Sequence, residues 1–385
     1  MSSYRALLAV LAASLAALVT PAHAQDAPAP SPPVQEKQLK LYSWTGYLSP
    51  TVLESFSRVT GIRTVVETYE TKDEAVAKLA SGNTGIDIVV LEAVPALAQA
   101  IQAGAFQPLD PARLPALSGQ DPALTKLLAG AGFPDGTAGI YLWGTLGLAY
   151  RTDLVKKRAE DAPLNSYALL FDPRFAKKLQ GCGIGLIDDP MIVLPMALRY
   201  LGLDPNTAGQ PEWERAAAVV QKIRPYAKVM DPTNMVSGLA GKKLCVATEW
   251  NGDAVQAANR LGAKEPAPKA GQTAASLDYV VPREGGLAVI DAFAIPKDAP
   301  HPDAAYAFLN HLLQPKMIAT TTSEMGYANA QPGSFDQVYA PLADDPRIYP
   351  PDTVKAKLTL VKPVAPELRL VIDELWAKIK SGATE

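Results

Sequence analysis

Residues 86–91 read Ile86-Asp87-Ile88-Val89-Val90-Leu91, an apolar run broken by a single acid. A short run of this kind behind a glycine is the mark of a strand buried on both faces, as in a parallel sheet covered by helices. Working outward, 73–80 reads as a helix and 62–68 as a strand. Before them, 50–60 carries Val52, Leu53, Phe56 and Val59 on one helical face. Pro50 suits its first turn and Gly61 its C-terminal end. Residues 39–44 form a strand, and 94–103 a helix on the other side of the run. Alternating strands and helices with short connections predict a doubly wound α/β sheet. The same grammar restarts later: strands at 145–150, 183–187, 244–248 and 287–295, helices at 191–201, 213–223, 254–261, 304–313 and 367–380, and a polar loop at 263–273. No short internal repeat is visible. A chain of 385 residues is too long for one ordinary core and predicts two domains.

Residues 1–24 read as a signal peptide. Arg5 supplies the positive end, 6–19 an apolar stretch too short to span a bilayer, and Ala22-His23-Ala24 an A-x-A cleavage site. Residues 25–38, rich in Pro and Ala at their start, read as a disordered leader. The expected protein is periplasmic, exported and cleaved after Ala24, with an uncleaved anchor as the alternative. Two cysteines, Cys182 and Cys245, lie beside strand-like runs. In an exported chain such a pair reads as one disulfide. Two buried free thiols are the alternative.

Composition narrows the function. Apolar residues make up 48% and charged residues 19%, as in an ordinary globular protein, and the formal net charge is −3. There is no basic tract to neutralise a row of phosphates, so nucleic acid is excluded as an expected partner. Beyond the signal segment only His301 and His311 remain. They lack Cys or His neighbours at metal-ligand spacing and read as solvated or structural. A nucleophile–histidine arrangement would need one of them. Neither a phosphate-loop nor a dinucleotide motif is present. The expectation is therefore no enzyme, no cofactor and no metal, although paired carboxylates of the glycosidase kind are not excluded by sequence.

What remains is a set of aromatics and acids at strand ends and in loops: Trp44 and Tyr47, Trp250 and Asp253, Asp291, and Tyr327. In open α/β sheets ligands bind beyond the carboxyl ends of strands. Aromatic faces attract cations, and carboxylates accept charge-assisted hydrogen bonds from ammonium groups. Aromatics that merely fill core are the plainer reading of each residue alone.

At these residues the sequence resembles the periplasmic polyamine-binding proteins, those for putrescine and spermidine. The resemblance runs through LYSWTGY (41–47), VTGIRTVVETYE (59–70), TGIDIVV (84–90), GAFQPLDPARLP (104–115), CGIGLIDDP (182–190), LCVATEWNGDAVQAANR (244–260), FLNHLLQP (308–315), GYANA (326–330) and YPPDTVKAKL (349–358). It implies a bilobal type II periplasmic-binding-protein fold, two doubly wound lobes joined by a hinge. It also implies a small organic cation as ligand, and an ABC permease and ATPase as partners. A monomer, not embedded in the membrane, is expected. The lobes are expected at 39–144 with 278–318, and at 145–277 with 319–382. The family's paired cysteines match Cys182 and Cys245.

The family's ligand residues match Trp44, Thr45, Tyr47, Trp250, Asp253, Asp291 and Tyr327. Four positions depart. Gly46 stands where an acid usually precedes the tyrosine, Ile192 where another acid is expected, and Val289 where an aromatic is usual. Glu92 replaces a Ser or Tyr. A buried carboxylate without a partner is costly, so losing two acids argues for fewer or differently placed ammonium groups. Glu92 and Asp189, an acid used by the spermidine-binding type, are expected to restore charge. Glu249 reads as a surface or hinge residue. The function implied is delivery of a polyamine-like cation to an ABC importer. The alternatives are the same fold binding another amine, a guanidino compound or an amino acid derivative, and a periplasmic sensor subunit.

Overall fold

A computed structural model describes residues 38–134, 136–230, 233–264 and 276–382. The expected signal peptide, the leader up to residue 37 and most of the loop 263–273 lie outside them. Gln38, assigned to the leader, instead opens the first strand.

Among the described residues there are ten strands: β1 Gln38–Trp44, β2 Arg63–Tyr69, β3 Ile88–Glu92, β4 Ala138–Arg151, β5 Ile184–Ile187, β6 Lys228–Met230, β7 Val246–Trp250, β8 Leu277–Val280, β9 Leu287–Ala294 and β10 Ala328–Asn329. Eight are ordered β2-β1-β3-β9-β4-β7-β5-β6, with β8 and β10 added to β4. The pairs at either end are parallel: β2 and β3 flank β1, and β6 and β7 flank β5. The pairs β3–β9, β9–β4 and β4–β7 in the middle are antiparallel.

The parallel pairs need crossovers, and the sequence supplies them. The helix Pro50–Thr60 joins β1 to β2. Ser49 caps it by accepting from the Val52 amide at 3.1 Å, and Gly61 ends it at a φ of 74°. The opening run becomes β3, with all of Ile88, Val89, Val90 and Leu91 buried. Asp87 just before it is fully buried yet satisfied. It accepts from the amides of Lys40 and His301, each at 2.7 Å, and meets His301 Nδ1 at 3.1 Å.

Two apolar cores form. One gathers Tyr42, Leu91, Ile140, Trp143 and Ile290; the other gathers Leu146, Leu186, Trp213, Val246 and Leu287. The fourteen-residue β4 passes from the first core to the second between Trp143 and Leu146, and β9 passes between Leu287 and Ala288. Ala328, Ala330, Ile348, Leu358 and Leu360 pack in the first core, whereas Ile372, Trp376 and Ile379 of the last helix are buried in the second, with Val361, Val364, Leu368 and Leu375 packed against it. Residues 328–360 thus pack with the first core. The cause is β10, which pairs Ala328 with Trp143 and Asn329 with Leu142 and so ties that stretch to the first half of β4.

Cys182 and Cys245 are disulfide-bonded, with a Cα–Cα distance of 5.5 Å. The bond joins the entries of β5 and β7, which are neighbours in the sheet. No helix among the described residues is long and apolar enough to cross a membrane.

Candidate functional site

The site lies where the strands of the two cores end. After β1 the chain turns at once: the Tyr47 amide donates to the Trp44 carbonyl at 3.3 Å. Gly46 occupies the third turn position at a φ of 70°, a region that favours a residue without a Cβ. The turn brings the Tyr47 hydroxyl within 2.8 Å of Asp291 Oδ2 on β9, to which it donates. A β-bulge in β4 helps to fix this arrangement. The register with β9 steps from Ile140 to Leu142, which makes Tyr141 the extra residue. The Tyr141 hydroxyl donates to the Tyr47 carbonyl at 2.9 Å, and the two rings meet edge to face with centroids 5.6 Å apart.

Tyr327 continues the chain of contacts. Its ring lies 6.2 Å from that of Tyr47, and its hydroxyl bonds Asp253 in the first turn of the helix Asn251–Lys264. That approach requires Gly252: a Cβ there would sit 2.5 Å from the Tyr327 ring. Asn251 anchors the helix start, accepting from the Thr145 amide at 3.0 Å. Two carboxylates, Asp253 and Asp291, are thus linked through two tyrosines.

Their electrostatics match their setting. Asp291 lies deep in the protein, although part of the residue still meets the cleft. Burial pushes its carboxyl up to about 7, and Glu92 adds to the rise, while the Tyr47 hydrogen bond and Lys72 oppose it. Burial also raises Asp253, against the Tyr327 hydrogen bond and Arg260. Such carboxylates gain most from a partner that carries positive charge.

A second group adjoins the first. Glu92 stands directly opposite Asp291 in the β3–β9 register, so both side chains share one face of the sheet. Lys72, at the start of the helix Lys72–Ser81, places its ammonium 2.7 Å from Glu92 and 4.0 Å from Asp189. Asp189 caps the helix Pro190–Tyr200, accepting from the Met191 amide at 2.8 Å. The attraction of Glu92 outweighs the burial of Lys72 and holds its pKa above the ordinary lysine range.

A family of bacterial extracellular solute-binding proteins matches residues 51–350. The chain belongs to this family. Among curated relatives, it is 36% identical to the putrescine-binding periplasmic protein PotF of Escherichia coli over 350 residues, which cover 90% of this chain and 92% of that one. It is 35% identical to the putrescine-binding periplasmic protein SpuD of Pseudomonas aeruginosa, with the same shares covered. Among solved structures, a spermidine/putrescine ABC transporter substrate-binding protein of Streptococcus pneumoniae superposes with a TM-score of 0.77 at 21% identity. That match covers 90% of this chain and 99% of the other. The bilobal α/β fold and an extracytoplasmic setting follow from the family.

Within this solute-binding fold the expected residues divide. Tyr47, Asp291, Tyr327 and Asp253 come together as one chain of contacts, and Glu92 and Asp189 meet through Lys72. Trp44 packs against Tyr69 at a tilt, with ring centroids 4.5 Å apart and planes at 54°. Trp250 ends β7 opposite Leu146, against the second core. Thr45 is exposed and donates to Glu70 at 3.1 Å. Of the departures, Ile192 is buried in the second core and Val289 packs against it. Three residues were missed or misread. Lys72 was not singled out, since nothing in the local sequence marks it. Tyr141 depends on a bulge. Glu249, read as a surface or hinge residue, is fully buried. Its Oε1 accepts from the Trp250 amide at 3.0 Å, and burial together with Asp253 raises its carboxyl well above the usual range. An acid inside the apolar run CVATEW was the signal for it.

Proposed function

We propose that this protein binds a small organic cation, an aliphatic amine of the polyamine kind or a close derivative, and delivers it to the permease of an ABC importer. The observation that carries the reading is the pair Asp253 and Asp291. Each is half-buried, bonded by a tyrosine hydroxyl, and held above the ordinary carboxylate range. An arriving ammonium favours the ionised state of both carboxylates and gains charge-assisted hydrogen bonds. The ligand named for the PotF and SpuD proteins, putrescine, is the natural first probe.

The lobes in this reading are 38–144 with 288–360, and 145–287 with 361–382, following the two cores. Three chain crossings between them form the hinge, and a ligand favours closure by its greater affinity for the closed state. Export with cleavage after Ala24 and the absence of catalysis belong to the same proposal, as does recognition of the closed form by the permease and its ATPase.

A thermal-shift panel of diamines, monoamines, guanidines, amino acids and dicarboxylates tests it. A ligand at a hundredfold its Kd stabilises by about 2.7 kcal/mol. Stabilisation by an amine, lost in Asp291→Asn, is the expected result. Stabilisation by an anion alone would overturn the reading.

A further inference from the structure

The Lys72 side chain is a cation built into the wall of the proposed cation site. It comes from the first lobe, bonds Glu92 of the same lobe at 2.7 Å, and points across to Asp189 of the second at 4.0 Å. All three side chains are partly exposed, so they line the cleft rather than the core.

The local charges come close to cancelling without a ligand. Lys72 neutralises Glu92 directly. The Asp189 carboxylate is offset on one side by Lys72 and on the other by the N-terminus of the helix it caps, where the macrodipole contributes about half a positive charge. A second ligand ammonium arriving here would meet a like charge already in place, and juxtaposed like charges are unfavourable. An added carboxylate would face Glu92 and Asp189 and fare no better. An uncharged oxygen faces neither penalty, since the three N–H groups of a lysine can donate to it as well as to Glu92. The direct Glu92–Asp291 register places this wall immediately beside the carboxylate that receives the ligand's cationic end.

We propose that Lys72 is a specificity-determining residue: it supplies from the protein the positive charge at one end of the site, so the ligand is an amine with a single cationic end, held by Asp253 and Asp291, and an uncharged hydrogen-bond-accepting end facing Lys72. A mono-N-acylated diamine has this chemistry. The inference rests on the amine reading above and narrows it.

Calorimetry with three probes of similar length tests it: 1,4-diaminobutane, its mono-N-acetyl derivative and 4-aminobutanoate. The parent protein is expected to bind the acetylated amine at least as tightly as the diamine, and more tightly than the amino acid. Lys72→Gln is expected to shift the ratio of affinities at least tenfold toward the diamine, and Lys72→Arg to keep the parent order. Lys72→Gln combined with Glu92→Gln removes the pair without stranding a charge, guards against misfolding of the single variant, and is expected to lose the preference. A parent that favours the diamine tenfold or more, with a ratio unmoved in Lys72→Gln, overturns the role of Lys72 and leaves the amine reading intact. Tightest binding of 4-aminobutanoate overturns the uncharged end. No binding of any probe overturns the amine reading and this inference with it.

Discussion

The Asp291→Asn substitution should make the ligand-free protein more stable while it damages binding. In the free protein, burial lifts the Asp291 carboxyl from the ordinary 3.8 to about 7. A raised carboxyl pKa means that the folded state resists ionisation. The contribution of Asp291 to stability is therefore fully present below about pH 4 and is lost as pH rises through 7. The gap of about 3 units, at about 1.36 kcal/mol per unit, sets a ceiling of about 4 kcal/mol. Water in the cleft screens part of this charge, so the observed effect lies below the ceiling. Asparagine keeps the shape and offers a carbonyl oxygen to the Tyr47 hydroxyl, but it has no charge to bury. Urea denaturation of both ligand-free proteins across this range is the assay. Near pH 8 the variant should be the more stable by up to about 4 kcal/mol, and the difference should shrink toward zero as pH falls to about 4. A variant less stable near pH 8, or a difference that ignores pH, would refute the reasoning.

Three further outcomes follow from the same geometry. Gly252→Ala places a methyl 2.5 Å from the Tyr327 ring, so amine affinity should fall at least about tenfold, or about 1.4 kcal/mol, with the circular dichroism spectrum retained; calorimetry with unchanged affinity would dismiss this role for the glycine. Replacing both Cys182 and Cys245 by serine frees a loop with a sequence separation of 63 and should lower stability by about 4 kcal/mol, read from denaturant midpoints; a loss below about 1 kcal/mol would count against it. Trp44→Ala and Trp250→Ala should each weaken amine binding by about 0.5–2 kcal/mol, the worth of a cation–π contact, measured by ligand titration; parental affinity in both would remove the tryptophans from the site.

Sequence and structure agree best where periodicity is local. The run 86–91, the helix 50–60 and the strands beside them announce themselves through unbroken apolar residues or a one-sided helical face, with caps at the ends. The first half of β4 escaped notice because its GIYLWGT stretch is interrupted by glycines and buried on both faces at once. The affinity of 328–360 for the first core rests on a two-residue strand pairing with β4, a non-local contact that leaves no periodic trace. The acids and tyrosines of the candidate site stood out because they gather at strand ends and in loops. Lys72 was not, since its importance comes from two carboxylates 20 and 117 residues further along the sequence. Glu249 was misread because position beside a tryptophan says nothing of burial, which here is complete.

The account stands or falls on Asp253 and Asp291 as the receptors of a cation. The measurement that tests this most directly is isothermal calorimetry of the parent, Asp253→Asn and Asp291→Asn with the amine that stabilises the parent most. Removing one partner of a buried charge pair costs about 2–5 kcal/mol, so each variant should bind at least about tenfold more weakly. Parental affinity in both variants, or an anion as the tightest ligand, would contradict the claim.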